Sequence, residues 1–366
     1  SPQTAQTRPQ GAATRYYRSF SREQVSEIKA AFDEDGFVVI DNVLTKEEIA
    51  KAEDEVWAYL REKGGVARSD PRTWGESHWP KEICRNGGFM GRFPYMRRMY
   101  RLDGTFINKQ AQAWRFREHP LIYKAFADIL DTKKLWVSLD RYGIMRPTKL
   151  KKDVKDEDEE EDEEEDKKEV KTVEVGEWQT KKDWLHWDLS PFHFGTSAAG
   201  FGANKDVLFE TLAKSYGSRR VQGLVTISDC PVETGGFHCV RGFHKNRFDE
   251  WREANKGGYG QREEIRKRNF VEVPDDDPMR GEVMKVPMRA GSLLIWDSKL
   301  PHGNFPNSGD AFRMVFYLKM IPVEDAREFL PILGIDDKRL RNNKWFPEGY
   351  SPSALGRKLL GLDKWE

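Results

Sequence analysis

The chain reads as a mainly β protein, a sandwich or barrel with flanking helices, and three features of its 366 residues lead there. Helical periodicity dominates before residue 133. From Lys134 onward the texture changes to short apolar or alternating segments. Each of these is bounded by Gly, Pro, Asp or Asn, the punctuation of turns between strands, and helices do not alternate with them as parallel β/α units require.

Taken in order, residues 1–15 are polar and aperiodic and are expected to form a disordered lead. In "SREQVSEIKAAFDEDG", Ser21 and Gln24 have capping-box spacing, and Val25, Ile28, Ala31 and Phe32 share one helical face, so a helix should end near Gly36. A strand is expected over Phe37 to Ile40. Thr45 and Glu48 then open a second helix that runs to about Gly64. Residues 68–100 are rich in Trp, Arg, Gly and Pro and predict loop with short elements, whereas "PLIYKAFADILD" predicts an amphipathic helix.

The strand candidates follow: "LWVSLDRYGIM", "RRVQGLVTISD", "GFHCVRG", "EVMKVPM", "GSLLIWDS" and "RMVFYLKMI". The organisation expected is a helical region (16–133) packed on a core (134–323), with an acidic insertion (149–175) and a C-terminal extension (324–366) ending in the helical "SALGRKLLGL". Within the insertion, "KKDVKDEDEEEDEEEDKKEVK" repels itself and cannot bury apolar area, so it should be a solvated loop. A functional reading makes it a docking arm for a basic protein partner or a lid.

Lys plus Arg and Asp plus Glu both number 61, so no global field points to nucleic acid or anionic lipid. Cys84, Cys230 and Cys239 are odd in number and lack CxxC spacing, which argues against a disulfide framework or a zinc finger and for a reducing, cytoplasmic setting. No stretch has the apolar length of a membrane span. The chain begins with Ser1, leaving a removed leader open, and it ends in "DKWE", which is no peroxisomal address.

The chemistry starts from "LHWDLSPF". On a strand, residues i and i+2 share a face, so His186 and Asp188 can aim an imidazole and a carboxylate at one point. A third ligand is available at His302, in "LPHGN". Eleven residues beyond it, Arg313 heads an apolar strand, where an inward guanidinium needs a carboxylate partner. Two histidines and one carboxylate leave three adjacent positions open on a metal, the arrangement of non-haem Fe(II) oxygenases. A keto acid chelating through two oxygens, its far carboxylate on Arg313, would leave one position for dioxygen.

"HWDLSPF", "GGFHCVRGFHK", "LLIWDSKLPHGN", the later arginine and the entry "FDEDGFVVIDNVLTKEEI" resemble the phytanoyl-CoA dioxygenase family of Fe(II)/2-oxoglutarate-dependent oxygenases, over roughly residues 25–320. The resemblance implies a double-stranded β-helix (jelly-roll, cupin-like) core. It also implies iron ligation by His186, Asp188 and His302 as the catalytic set, with Arg313 on the C5 carboxylate of 2-oxoglutarate. Asn304 matches a position that often carries a small polar residue near the co-substrate.

By the same resemblance the activity is hydroxylation of an unactivated C–H of a small molecule, consuming dioxygen and releasing succinate and CO2. Members that transfer halide replace the carboxylate at position 188, so its presence favours oxygen chemistry. Arg241 and Phe243 depart from the Pro and Ser common in the family, and this bears on the substrate. The competing readings are a jelly-roll enzyme with another metal, for which Arg313 has no use, and a non-catalytic binding protein whose acidic loop recruits a basic partner. His193, His238 and His244 lack a carboxylate at ligand spacing and read as structural or substrate-facing, with His244 beside Lys245 suited to an acidic substrate. Trp187 should face away from the ligands, and Asp297 should stabilise a turn.

Overall fold

The computed structural model describes residues 16–84, 88, 90, 111–153, 170–180, 184–188, 190–192, 219–266, 271–326 and 346–366. The expected lead (1–15), the centre of the acidic run (154–169) and His193 lie outside the described residues.

In chain order, α1 (Val25–Asp35), β1 (Phe37–Ile40) and α2 (Lys46–Gly64) form the entry, and α3 (Ala111–Arg117) and α4 (Pro120–Leu130) follow. The strands continue as β2 (Leu135–Val137), β3 (Tyr142–Met145), β4 (Lys149–Asp153), β5 (Val170–Glu174), β6 (His186–Trp187), β7 (Val221–Thr226) and β8 (Gly236–Cys239). After α5 (Asn246–Asn255) come β9 (Val271–Glu272), β10 (Met284–Lys285), β11 (Leu293–Asp297), β12 (His302–Phe305) and β13 (Arg313–Pro322), and a last helix covers Ala354–Leu359.

The helix ends follow from local chemistry. Thr45 and Glu48 make both arms of a capping box, and Gly65 closes α2 in the left-handed region at φ 71°. At α1 the sequence expectation is half met. The Gln24 side chain accepts from the Ser21 N–H, but the helix starts at Val25 with Gln24 as its N-cap.

Two antiparallel sheets face each other. One runs β1-β11-β7-β13-β2 with β3 also on β13, and the other runs β10-β8-β12-β6-β9. From β6 onward the chain winds between them, with β6, β8, β9, β10 and β12 in one and β7, β11 and β13 in the other, the winding of a double-stranded β-helix.

Strand alternation divides the core in two. Val38, Ile40, Leu293, Ile295, Met314 and Phe316 face the helices and join Phe32, Val56, Leu60 and Phe126. Their neighbours Phe37, Val39, Leu294, Trp296, Val315 and Tyr317 belong with Phe237, Cys239 and Val286 of the opposite sheet. This inter-sheet layer carries the site.

Two expectations change. "LWVSLDRYGIM" is two strands: residues 138–141 stand opposite 317–319, one residue too many, and the ladder bulges. A buried Ser138 and Asp140 occupy the bulge. The ends of the acidic insertion are not loop either. β4 and β5 pair as a ribbon in which Leu150 meets Val173, and Lys149 lies 3.5 Å from Glu174, so an apolar pair and an ion pair offset the like charges nearby.

Candidate metal centre

His186 opens β6 and His302 opens β12, and the two stand directly opposite each other in the ladder. Asp188, two residues on, points to the same place. One ligand atom from each of the three lies within 4.8 Å of the other two. His186 Nε2 is 3.3 Å from one Asp188 oxygen and His302 Nε2 is 3.6 Å from the other. Metal bonds of about 2.1 Å put neighbouring corners of an octahedron about 3 Å apart, so these spacings fit adjacent positions on one ion.

The backbone sets the tautomers. His302 Nδ1 is 2.9 Å from the Leu300 carbonyl and His186 Nδ1 is 3.2 Å from the Trp184 carbonyl. Because a carbonyl can only accept, both Nδ1 atoms carry the proton and both Nε2 lone pairs face Asp188. Aromatic rings hold the imidazoles: Trp184 stacks on His186 at 3.8 Å, and Trp296 and Phe237 lie 5.3 and 6.1 Å from His302.

Asp188 is steered as closely. Gln222 Nε2 donates to its Oδ2, and Trp296 Nε1 donates to Gln222 Oε1 at 3.1 Å. An indole N–H can only donate, so it fixes which way the amide faces. Burial alone would raise the Asp188 carboxyl, but the Lys319 ammonium and the two imidazoles beside it hold it well below the usual range. Burial pushes His302 down, toward the neutral form that ligates. The side chain of Asp188 keeps 25 % of its surface exposed, against 4 % and 6 % for the histidines, so the cluster opens on the carboxylate side.

Arg313 is fully buried on β13. Its Nη1 is 3.4 Å from the Tyr317 hydroxyl, while Nε and Nη2 have no hydrogen-bond partner among the described residues. No carboxylate among the described residues pairs with it. An interior guanidinium left this way is a strong site for a carboxylate from outside the chain. Asn304, two residues beyond His302, is buried with its Oδ1 unpartnered.

The remaining sequence candidates are not part of the ligand cluster. Trp187 is buried against Phe243, Phe248 and Trp251. Asp297 accepts from the Lys299 N–H in a turn, His244 Nε2 meets the Asp33 carbonyl, and His238 is buried edge-on against Phe305. Arg241 pairs with the buried Asp35 of α1 at 2.7 Å. None of Cys84, Cys230 and Cys239 is in a disulfide.

Sequence reasoning did not single out Trp184, Gln222 or Lys319. A glutamine and a lysine inside otherwise apolar strands were the available signal.

The phytanoyl-CoA dioxygenase (PhyH) family profile matches residues 32–315. A Dictyostelium discoideum protein named for phytanoyl-CoA dioxygenase is 22% identical over 80% of this chain and 74% of its own length. The Aspergillus versicolor "Ava biosynthesis cluster protein O" is 21% identical over 91% of this chain and 86% of its own. Among solved structures, the non-heme alpha ketoglutarate dependent carbocyclase SnoK from nogalamycin biosynthesis is 15% identical with TM-score 0.47, covering 83% of this chain and 87% of that one.

Proposed function

The chain belongs to the phytanoyl-CoA dioxygenase family of non-haem iron, 2-oxoglutarate-dependent oxygenases, and on that premise we propose that it hydroxylates an unactivated C–H of a small-molecule substrate, releasing succinate and CO2. In this reading His186, Asp188 and His302 hold the iron, and Arg313 holds the far carboxylate of the keto acid. The observation that supports it most is the pairing of a convergent His-Asp-His cluster with a buried arginine that has no carboxylate partner among the described residues.

Iron and 2-oxoglutarate, when bound, would supply the oxidising chemistry, with dioxygen as oxidant and the keto acid as the co-reductant that leaves as succinate and CO2. The chain's own groups prepare that step. The two Nδ1–H groups, bonded to backbone carbonyls, keep both Nε2 lone pairs on the metal side. Gln222 keeps the Asp188 carboxylate turned toward the same point. Trp184, Trp296 and Phe237 wall the histidines from water, which protects a reactive oxidant from side reactions. Retention of Asp188 leaves no coordination corner for halide, and this supports hydroxylation.

The test is succinate release from 2-oxoglutarate by the Fe(II) protein in air, across a panel of small hydrophobic and acyl substrates. Release that depends on substrate and disappears in His302→Ala supports the proposal. Anaerobic protein that binds neither Fe(II) nor 2-oxoglutarate ends it.

A further inference from the structure

A second cation reaches the place where Arg313 ends. Lys285 lies on β10, paired with His238 of β8, and its stem is partly exposed. Its ammonium is nevertheless buried and has no hydrogen-bond partner among the described residues. The meeting point is Gly236, in the left-handed region at φ 95°: a Cβ there would lie 2.4 Å from Arg313 Nε and 3.0 Å from Lys285 Nζ. Only glycine leaves that space to the two side chains.

Two like charges brought from different sheets to one spot, both buried and neither paired with an anion among the described residues, are repelled and desolvated at once. The arrangement makes sense if an anion joins them. Burial, with Arg313 adding to it, pushes the Lys285 amine down to about 7, so an arriving carboxylate would also restore its charge.

We propose that Lys285 is a second ligand for the far carboxylate of the keto acid, gripping one oxygen while Arg313 grips the other, and that this pair selects a dicarboxylic co-substrate. The inference rests on the oxygenase reading above. It assigns a specificity role to a residue that a strand pattern reads as solvent-facing.

The experiment measures anaerobic binding to the Fe(II) protein by calorimetry, with 2-oxoglutarate and with 2-oxobutyrate, which keeps the chelating end and lacks the far carboxylate. The wild type should prefer 2-oxoglutarate. Lys285→Met should weaken 2-oxoglutarate about 10- to 100-fold, the loss of one charge-assisted hydrogen bond, and leave 2-oxobutyrate unchanged. Lys285→Arg should recover most of the loss, and circular dichroism checks that each variant is folded. If a folded Lys285→Met protein binds 2-oxoglutarate as the wild type does, or loses both keto acids equally, the role of Lys285 is overturned while the oxygenase reading stands. If the wild type binds neither keto acid, both fall.

Discussion

Replacing Gln222 by leucine tests whether an amide outside the ligand set holds the metal centre together. The substitution keeps volume nearly constant and removes two hydrogen bonds, one to Asp188 and one from the Trp296 indole. The first is charge-assisted and contributes about 1.5–3 kcal/mol to holding the carboxylate in position. The second leaves a buried indole N–H unpartnered and costs about 1–3 kcal/mol of fold stability. Loss of such an orienting partner lowers metal affinity about 10- to 100-fold, or about 1.4–2.7 kcal/mol. The assay is anaerobic Fe(II) titration against a competing chelator, with urea unfolding of the apo protein in parallel. Trp296→Phe is the control: it removes the indole donor but keeps the amide on Asp188, so metal affinity should fall less than in Gln222→Leu. A folded Gln222→Leu protein that binds Fe(II) within about threefold of the wild type would refute the argument.

Three other outcomes follow from the same geometry. Arg313→Met should bind Fe(II) normally, lose 2-oxoglutarate binding about 100-fold, and yet be as stable in the apo form as the wild type or more so by about 1–3 kcal/mol, because it removes an unpaired buried cation; a chemical melt decides. Gly303→Ala places a Cβ 2.2 Å from the Trp184 carbonyl, the acceptor for His186 Nδ1, so it should weaken Fe(II) binding and cost about 1–3 kcal/mol, measured by chelator competition and urea unfolding. His244 is pushed down to about 4 by burial, below its unfolded value near 6.5. Its contribution is therefore complete above pH 6.5 and is lost as pH falls toward 4, and His244→Gln should flatten the stability profile across that window, by less than a fully buried histidine would because the ring is partly exposed.

Residues close in sequence announced the centre better than residues joined by sheet register. His186 and Asp188 could be paired from strand periodicity alone, and Arg313 stood out as a charge heading an apolar run. The family resemblance supplied the winding of the core and bound His302 to the other two. Gln222 and Lys285 each sit in a strand whose apolar alternation reads as ordinary packing. What gives them a role is a neighbour 34 residues away in one case and a neighbour on the facing sheet in the other, and neither proximity is encoded locally. The bulge at 138–141 was hidden for the same reason, since an extra residue is visible only when the opposite strand is counted. Thr45 and Glu48 show the converse: their motif is complete within four residues, and the helix start was readable from it.

β6 is two residues long, and one rung, His186 with His302, joins it in register to β12. Those are the side chains proposed to share the ion, so a bound ion would act as a rivet at the narrowest seam of that sheet. Trp187 packs the strand's other face against Phe248 and Trp251 of α5. Iron supply would then set how tightly the seam is closed, and slowed amide exchange across residues 184–188 on metal loading would register it.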